Sequence, residues 1–481
     1  MSDGCCLFAI ITSVLQLEET IKKKKHFDIC KTRGRTMVQS RAMPLLLLLT
    51  LIGGITAQCL TDNDNPTHMN PDSKKVLDQG RYKFALDALK KSAEIETENS
   101  IFLSPDSIYN ALLLAYFGAR GNTEASLKKA LYIPDNLSKV DVMRYYSFEK
   151  SLQQSKKKNG SSNYEYRSAN RLWVTDAKKL RECMLDLFGD ELMKTDFMTN
   201  PEEVRTVINN WVSNVTKGHI RDLLPVDSID RSTDLVLVNA VYFKGLWQSR
   251  FEPANSKKDI FYTPGKQNSV ITFMRQKNTF NHVVSEELGA HILELPYKGS
   301  EISMFILLPP FAAARSLNDD PSRIQGDGGI RNVLHRISND ADAMELQILL
   351  KDGMSSRQVE VSLPRFELER ELEFKTLLLQ LGLQDLVGPN AADLRDFVAD
   401  GEETLHLGDG VHKAKIEVTE EGTTAAAATA LFTFRSSRPS EPAVFNANHP
   451  FIYFIYDKTM DSILFSGIYR MPGNPTSSIP A

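Results

Sequence analysis

One short segment, residues 420–429, combines two carboxylates, a glycine and a run of small residues. Its sequence is Glu420-Glu421-Gly422-Thr423-Thr424-Ala425-Ala426-Ala427-Ala428-Thr429. Gly422 permits a sharp change of backbone direction, threonine favours strands, and alanine fits between crowded neighbours with little loss of side-chain entropy. The segment therefore has the chemistry of a loop that a β-sheet could accept as an added strand. A flexible, low-complexity surface loop is the alternative interpretation of the four alanines alone.

Residue patterns typical of the common enzyme classes are missing from the chain. The sequence contains no Gly-x-Ser-x-Gly, His-Glu-x-x-His, Gly-x-x-x-x-Gly-Lys or Cys-x-x-Cys motif, and its nine histidines are scattered without ligand spacing. The triplet Gly408-Asp409-Gly410 is typical of a turn rather than of a metal site. We therefore expect no enzymatic activity, no cofactor and no resident metal.

The elements that must hold the 420–429 segment are those of an ordinary globular protein with a large core. The chain has 481 residues, of which 42% are apolar and 25% charged. Hydrophobic runs alternate between helical spacing (76–89, 204–224) and short strand-like runs (302–308, 451–455), with no regular repeat. No linker-like break interrupts the main body. We predict one large α+β domain with extensions.

A series of short motifs accompanies the 420–429 segment in a fixed order. They are residues 99–105, 118–121, 169–174, 208–212, 216–218, 237–247, 293–297, 361–366, 411–414 and 445–451. In composition and order these motifs are similar to the signatures of the serpin family, and they lie between roughly residues 71 and 472. The segment 420–429 resembles the reactive-centre hinge of that family.

This resemblance implies the serpin fold, which is an α+β fold with three β-sheets, about eight or nine helices and an exposed reactive-centre loop, here at about residues 420–442. It also implies a suicide mechanism of protease inhibition, in which the inhibitor itself is cleaved. The target protease attacks the loop and forms an acyl-enzyme, and the cleaved loop then inserts as a strand of the central sheet before water can release the enzyme. The energy comes from a native state that is kinetically trapped. Thr423 is expected to enter the sheet first.

Two groups of site residues follow from the resemblance. The shutter, a polar cluster beneath the central sheet where its strands part, corresponds to Ser104, Ser107, Asn239 and His412. The breach, at the top of the sheet where insertion begins, corresponds to Arg365, Glu420 and Trp247. Taken singly, the shutter residues would indicate an ordinary helix start and a satisfied core histidine. Lys415 departs from the family, in which an apolar residue is commoner at this position.

Two arguments place the cleaved bond one residue apart. A long cation suits the acidic specificity pocket of trypsin-like proteases, which favours the bond between Arg435 and Ser436. The commonest family spacing from the hinge glycine favours the bond between Ser436 and Ser437 instead. Arg438 is a third choice, disfavoured because Pro439 follows it. We predict cleavage at Arg435-Ser436 and keep Ser436-Ser437 as the alternative.

The first 57 residues are set aside from the fold. Residues 45–55 are apolar, are preceded by Arg41 and end close to Ala57, which is typical of a secretory signal. We predict an upstream extension of doubtful status (1–36), a signal peptide (37–57), a mobile N-terminus (58–70) and a single serpin domain (71–481). The expected location is the extracellular space, without stable membrane insertion.

Other features bear on secretion and partners. The sequons at Asn136, Asn159 and Asn214 predict glycosylation of a secreted chain. Removal of residues 1–57, which carry a net charge of +4, leaves −8, which argues against nucleic-acid binding. The cysteines that remain are Cys59 and Cys183, and the sequence leaves open whether they pair.

Two candidate functions are consistent with the sequence. The first is a monomeric, secreted inhibitor of a trypsin-like serine protease in an extracellular cascade such as clotting, immunity or melanisation. The second is a serpin-fold carrier, storage protein or chaperone that does not inhibit. The hinge favours the first, because proline or charge at its small positions would hinder insertion. A lysine run, Lys156, Lys157 and Lys158, predicts weak glycosaminoglycan binding.

Overall fold

Hydrophobic runs of both spacings form regular elements in the computed structural model, which describes residues 59–60, 71–158, 164–311, 328–388, 391–421 and 441–472. Within these residues the α-helices are α1 (Pro71–Ile95), α2 (Pro105–Gly118), α3 (Gly121–Ala130), α4 (Lys139–Lys158), α5 (Glu182–Phe188), α6 (Pro201–Val215), α7 (Gly328–Arg336), α8 (Asp340–Lys351), α9 (Phe374–Gln380) and α10 (Gln384–Val387). Two 3₁₀ turns cover Gly189–Glu191 and Pro253–Asn255. None of the helices described is long and apolar enough to cross a membrane.

The strands of the described residues alternate with these helices in no strict pattern, as expected for an α+β fold. They are β1 (Ile101–Leu103), β2 (Tyr164–Thr175), β3 (Leu192–Thr195), β4 (Leu235–Gly245), β5 (Lys257–Phe261), β6 (Ser269–Ser285), β7 (Ala290–Pro296), β8 (Ile302–Leu308), β9 (Ser356–Pro364), β10 (Phe366–Leu372), β11 (Leu407–Val418), β12 (Ala443–Asn446), β13 (Phe451–Asp457) and β14 (Ser462–Tyr469).

The central sheet contains five of the described strands, in the order β10-β11-β4-β2-β3. Strand β4 is antiparallel to β2, and β10 is antiparallel to β11, whereas β4 and β11 are parallel. Nearly all of β4 is buried, because helices and the neighbouring sheets together cover both faces of the central sheet. Its even-numbered residues Val236 and Val238 pack under α6, and its odd-numbered residues Leu235 and Leu237 pack in the larger core with α2.

The remaining nine strands form two further sheets that share the long strand β6. Residues 269–281 of β6 pair with β5 and β9, and residues 282–285 pair with β7. The first of these sheets continues from β9 to β12, and the second runs β7-β8-β13-β14-β1. The described residues therefore form three sheets, as the serpin resemblance implies. Strands β13 and β14 are buried along their whole length, so the C-terminal part of the described chain lies in the core.

Helix α2 begins with local signals that place its first turn beneath the central sheet. Ser104 caps the helix by accepting a hydrogen bond from the Ser107 amide, and Pro105 occupies the first turn, where a missing N–H is not needed. Every residue of the helix except Asn110 is buried. A buried helix start brings polar groups into the interior, and these groups need partners.

A disulfide between Cys59 and Cys183 answers the question that the sequence left open. It joins residues 124 positions apart and fastens the segment that precedes α1 to α5. On the C-terminal side of Cys183, Met184 and Phe188 of α5 pack into the core, whereas Glu182 is exposed.

Candidate functional site

The boundary between β4 and β11, here called the seam, is closed. Register pairs run from Leu235 with Leu407 to Lys244 with Glu417, so the two strands bond to each other directly and no described strand lies between them. Parallel ladders have slanted hydrogen bonds and are slightly less stable per residue than antiparallel ladders. The seam is therefore the weaker of the long ladders in the central sheet.

His412 lies at the middle of the seam and connects β11 to β4 and to α2. Its Nε2 accepts a hydrogen bond from the Ser104 amide at 3.2 Å, so the ring proton is on Nδ1, which donates to Oδ1 of Asn239 at 2.6 Å. The three residues are fully buried. Burial lowers the pKa of His412 to about 3, which keeps the ring neutral. The Asn239–His412 hydrogen bond crosses the seam.

The serines of the α2 start extend this network on both sides. The Ser104 hydroxyl donates to the Leu464 carbonyl of β14 at 2.7 Å, which fixes α2 to the neighbouring sheet. The Ser107 hydroxyl donates to Oδ1 of Asn170 on β2, also at 2.7 Å. The four predicted shutter residues thus lie in one buried network, and their role as a shutter stays a prediction.

Asn170 belongs to the same network, although the sequence reasoning did not single it out. In the sheet register it stands opposite Asn239, which stands opposite His412, so one polar row crosses β2, β4 and β11. Nδ2 of Asn239 is buried without a hydrogen-bond partner among the described residues. A buried donor without a partner costs about 1–3 kcal/mol. The residues of this row can therefore exchange hydrogen-bond partners at a small additional cost in free energy.

A second group, here called the seam cluster, spans the upper half of the seam on the α6 face. It consists of His219, Tyr242, Lys244 and Glu417. Glu417 of β11 forms an ion pair with Lys244 of β4 at 3.1 Å and accepts a hydrogen bond from the Tyr242 hydroxyl at 3.2 Å. The His219 ring stacks on Tyr242 with centroids 3.6 Å apart. Sequence reasoning missed this cluster, because its members meet only through the pairing of strands distant in sequence.

Lys415 departs from the family pattern, and its contacts on the same face of the sheet explain why a lysine is accommodated there. Its ammonium group pairs with Glu367 at 2.8 Å and with Glu369 at 3.6 Å, both on the adjacent strand β10. Opposite charges on facing strands stabilise a sheet. The lysine is therefore compatible with β11 at this position.

The predicted breach residues also lie together, at the end of β11 that leads into the hinge. The Trp247 indole donates to the Thr419 carbonyl at 2.7 Å, and its backbone amide donates to the Glu421 carbonyl at 3.2 Å. Arg365 and Glu420 form an ion pair at 3.7 Å. The arginine is 44% exposed, so this pair contributes little by itself. Trp247 holds the backbone from which the hinge departs.

Several predicted sites lie outside the described residues. They are the hinge residues Gly422, Thr423, Thr424, Ala425, Ala426, Ala427 and Ala428, the bond residues Arg435, Ser436 and Ser437, and the sequon Asn159. The side chains of Lys156, Lys157 and Lys158, at the end of α4, are likewise not described. Asn136 and Asn214 are exposed, and their glycosylation stays a prediction. Among the residues described, no group of three or more His, Cys, Asp or Glu could hold a metal ion.

Comparison with known proteins decides the family. The family model described as "Serpin (serine protease inhibitor)" matches residues 79–472. The chain belongs to the serpin family. Over 416 residues this serpin is 39% identical to Serine protease inhibitor 88Ea of Drosophila melanogaster, covering 83% of the chain and 92% of that protein.

Solved serpin structures agree with the fold described here. Crystalline maspin matches with a TM-score of 0.71 at 25% identity, over 83% of this serpin and all of maspin. Native protease nexin-1 with heparin matches with a TM-score of 0.69 at 28% identity, again over 83% of this chain and 100% of that chain. Both similarities cover most of the described residues.

Proposed function

We propose that this serpin is a secreted suicide inhibitor of a trypsin-like serine protease, which it traps by inserting its cleaved loop into the seam. The observation that carries the proposal is the closed parallel seam, whose strand β11 leads directly into a hinge of small residues. A polar row lies beneath the seam, and the breach tryptophan holds the hinge at its upper end.

The geometry of the seam gives insertion a favourable free energy. A loop that reverses direction after β11 runs antiparallel to β11, and therefore also antiparallel to β4. Its insertion replaces one parallel ladder by two antiparallel ladders and adds a strand's worth of hydrogen bonds and buried side chains. The side chains of Thr423 and Ala425 are small, which favours their insertion between packed neighbours.

The covalent step is an acyl transfer from the loop to the protease. The hydroxyl of the protease serine attacks the carbonyl carbon of Arg435, its proton passes to the leaving amine of Ser436, and an ester joins the two proteins. The fragment that begins at Ser436 then stays bound without a covalent link, since it contains β12, β13 and β14. Complete burial of β13 and β14 supports this retention.

Secretion is proposed from three independent features. A signal-like segment precedes the fold, and two exposed asparagines, Asn136 and Asn214, stand in sequons. The Cys59–Cys183 disulfide adds support, because disulfides persist in oxidising compartments. An extracellular cascade such as clotting, immunity or melanisation is the proposed setting. The lysines at the end of α4 are proposed as a weak glycosaminoglycan site.

The experiment mixes chain 58–481 with trypsin and combines denaturing gels with mass spectrometry. The proposal predicts a complex that resists denaturant and a released peptide that starts at Ser436. A peptide that starts at Ser437 would move the reactive bond by one residue. Cleavage without any complex would contradict inhibition and support the carrier, storage or chaperone function.

A further inference from the structure

A group of three basic side chains, here called the basic corner, lies where β6 passes from its pairing with β9 to its pairing with β7. It consists of His282, His291 and Arg357. In the register, Val284 of β6 faces His291 of β7, and Phe280 of β6 faces Arg357 of β9. Because alternate residues of a strand share a face, His282 lies diagonally next to both His291 and Arg357. The ring centroids of His282 and His291 are 5.8 Å apart.

The hydrogen-bonding groups of the basic corner have no partner among the residues described. His282 is 4% exposed, and both of its ring nitrogens are buried without a hydrogen bond. Buried polar groups are normally paired, so an orphaned imidazole needs an explanation. The side chains of His291 and Arg357 also form no hydrogen bond or ion pair with described residues. His291 is half-buried and Arg357 is exposed, so a ligand can reach the corner from solvent.

The charges around the corner are basic. Burial, the charge of Arg357 and the neighbouring His291 together lower the pKa of His282 to about 4. Burial and Arg357 also lower the pKa of His291. On the far side lies His449, just before β13, whose pKa is lowered by burial and then by His291. None of the described carboxylates acts on these three rings. At neutral pH the rings are therefore neutral and lie beside a guanidinium without a counter-charge.

A tetrahedral oxyanion is the ligand class that these groups fit best. Neutral imidazoles also bind transition metals, but a metal cation would lie beside the unpaired charge of Arg357 and would find no carboxylate or thiolate. An anion is attracted by the same charge. The guanidinium fork binds two oxygens of one group, and each neutral imidazole has one N–H to donate. A group with more than two oxygens can use all of these donors, whereas a carboxylate cannot.

We propose that the basic corner binds a sulfate or phosphate group, either as the free ion or as an ester. Arg357 holds two of its oxygens, and His282 and His291 donate hydrogen bonds to the others. The binding does not depend on the function proposed above.

Binding of an anion at this place is linked to protons. A negative charge beside an imidazole favours its protonated form, so the bound group raises the pKa of His291 and His282. The complex then takes up a proton that the free protein does not hold. The affinity for sulfate should therefore rise as the pH falls from about 7 to about 5. Sulfate keeps its charge throughout this range, so the change belongs to the protein.

The test follows the imidazole Cε1–H signals of chain 58–481, isotope-labelled at histidine, as sodium sulfate replaces sodium chloride at constant ionic strength. His282→Gln and His291→Gln each remove one signal and so assign it. We expect both signals to shift with saturation. Arg357→Gln should weaken binding about tenfold or more, since hydrogen bonds to a charged group are lost. The matched control is Arg221→Gln, an exposed arginine after α6, which should bind as the unaltered protein does.

Arg357→Lys keeps the charge without the fork and should recover part of the affinity. Glycerol phosphate is tested beside inorganic phosphate: binding of both supports an ester as ligand, and binding of the free ion alone supports the ion. No saturable shift at about 50 mM sulfate would overturn the site, as would equal affinity in Arg357→Gln and the unaltered protein. An affinity that stays constant between about pH 7 and pH 5 would also contradict it. A response of the two signals to zinc ions but not to sulfate would replace the anion by a metal and overturn the proposal.

Discussion

Removal of the Glu417 carboxylate tests whether the seam cluster resists opening of the central sheet. Glu417 lies on β11, and its partners Lys244 at 3.1 Å and the Tyr242 hydroxyl at 3.2 Å lie on β4, so both contacts are lost when the strands part. A partly exposed ion pair contributes about 0.2–1 kcal/mol. A hydrogen bond to a charged group contributes about 1.5–3 kcal/mol.

The side chains of Lys244 and Glu417 are 31% and 20% exposed, so water screens the ion pair. We therefore take the lower part of both ranges, about 2 kcal/mol together. This free energy is present only while the seam is closed. Glu417→Ala should then raise the equilibrium constant for opening about thirtyfold, because 1.4 kcal/mol corresponds to a factor of ten.

The assay follows a synthetic peptide with the sequence of residues 423–434 as it anneals into the uncleaved protein, resolved on native gels. Its rate should rise with the population of open seam, by up to about thirtyfold in Glu417→Ala. The matched control is Glu369→Ala. Glu369 pairs with Lys413 at 3.0 Å between β10 and β11, which stay together when the seam opens.

Glu369→Ala should leave the annealing rate unchanged, although it removes a pair of the same kind. Equal rates in the two variants would refute the reasoning, whether both rise or neither does. Lys244→Ala completes a double-mutant cycle with Glu417→Ala. A coupling energy near zero would mean that the ion pair across the seam contributes nothing.

Four further predictions follow from the site and the fold. Thr423→Arg should turn the inhibitor into a substrate, because a charged side chain cannot enter the sheet; gels should show cleavage without complex, and undiminished complex would exclude insertion from the hinge. Asn239→Ala should form loop–sheet polymers on mild heating, since an opened edge accepts a neighbour's strand; a sample that stays monomeric on size exclusion would contradict the shutter role. Burial lowers the pKa of His412 from 6.5 to about 3, so the unfolded chain binds a proton that the folded protein does not, and stability should fall as the pH falls from 6.5 towards 3. His412→Asn should flatten that slope in urea unfolding, and an identical slope would assign the proton to another group. Cys183→Ser should lower the free energy of unfolding by up to about 5 kcal/mol, the chain-entropy value for a closed loop of 124 residues; an unchanged urea midpoint would argue against it.

The fold class was accessible from the sequence because hydrophobic spacing marks helices and strands, and the members of the buried network were identified by the family resemblance. A Ser-Pro helix start positions Ser104, and Asn239 is a polar residue inside an otherwise apolar run, whereas His412 lies in a strand of mixed polarity and was identified by the family resemblance. Such residues need buried partners, so their meeting beneath one sheet is a physical expectation as well as a family pattern. The breach residues meet for a similar reason, since Trp247 follows the end of β4 and Glu420 follows the end of β11 at the same edge of the sheet.

The seam cluster could not be predicted, because its contacts depend on register. Tyr242 and Glu417 are 175 residues apart, and a shift of one residue in the pairing would turn one of them to the opposite face. Both are of types that occur on any exposed strand. Asn170 was not predicted as part of the network for the same reason, since its alignment with Asn239 depends on the pairing of β2 with β4. The pairing of Cys59 with Cys183 required the position of α5 relative to the segment before α1.

Trp247 donates hydrogen bonds to the backbone of Thr419 and Glu421, from which the molecule's own loop departs. This loop and the loops of neighbouring molecules compete for the same seam. A segment tethered by a few residues experiences an effective concentration in the millimolar range, on general grounds of linker length. If other molecules are present at about micromolar concentration, their loops are roughly a thousandfold less concentrated at this seam than the tethered loop is. The two hydrogen bonds from Trp247 therefore fix the point from which the loop departs, and the short covalent tether beyond that point favours a molecule's own loop over the loops of its neighbours.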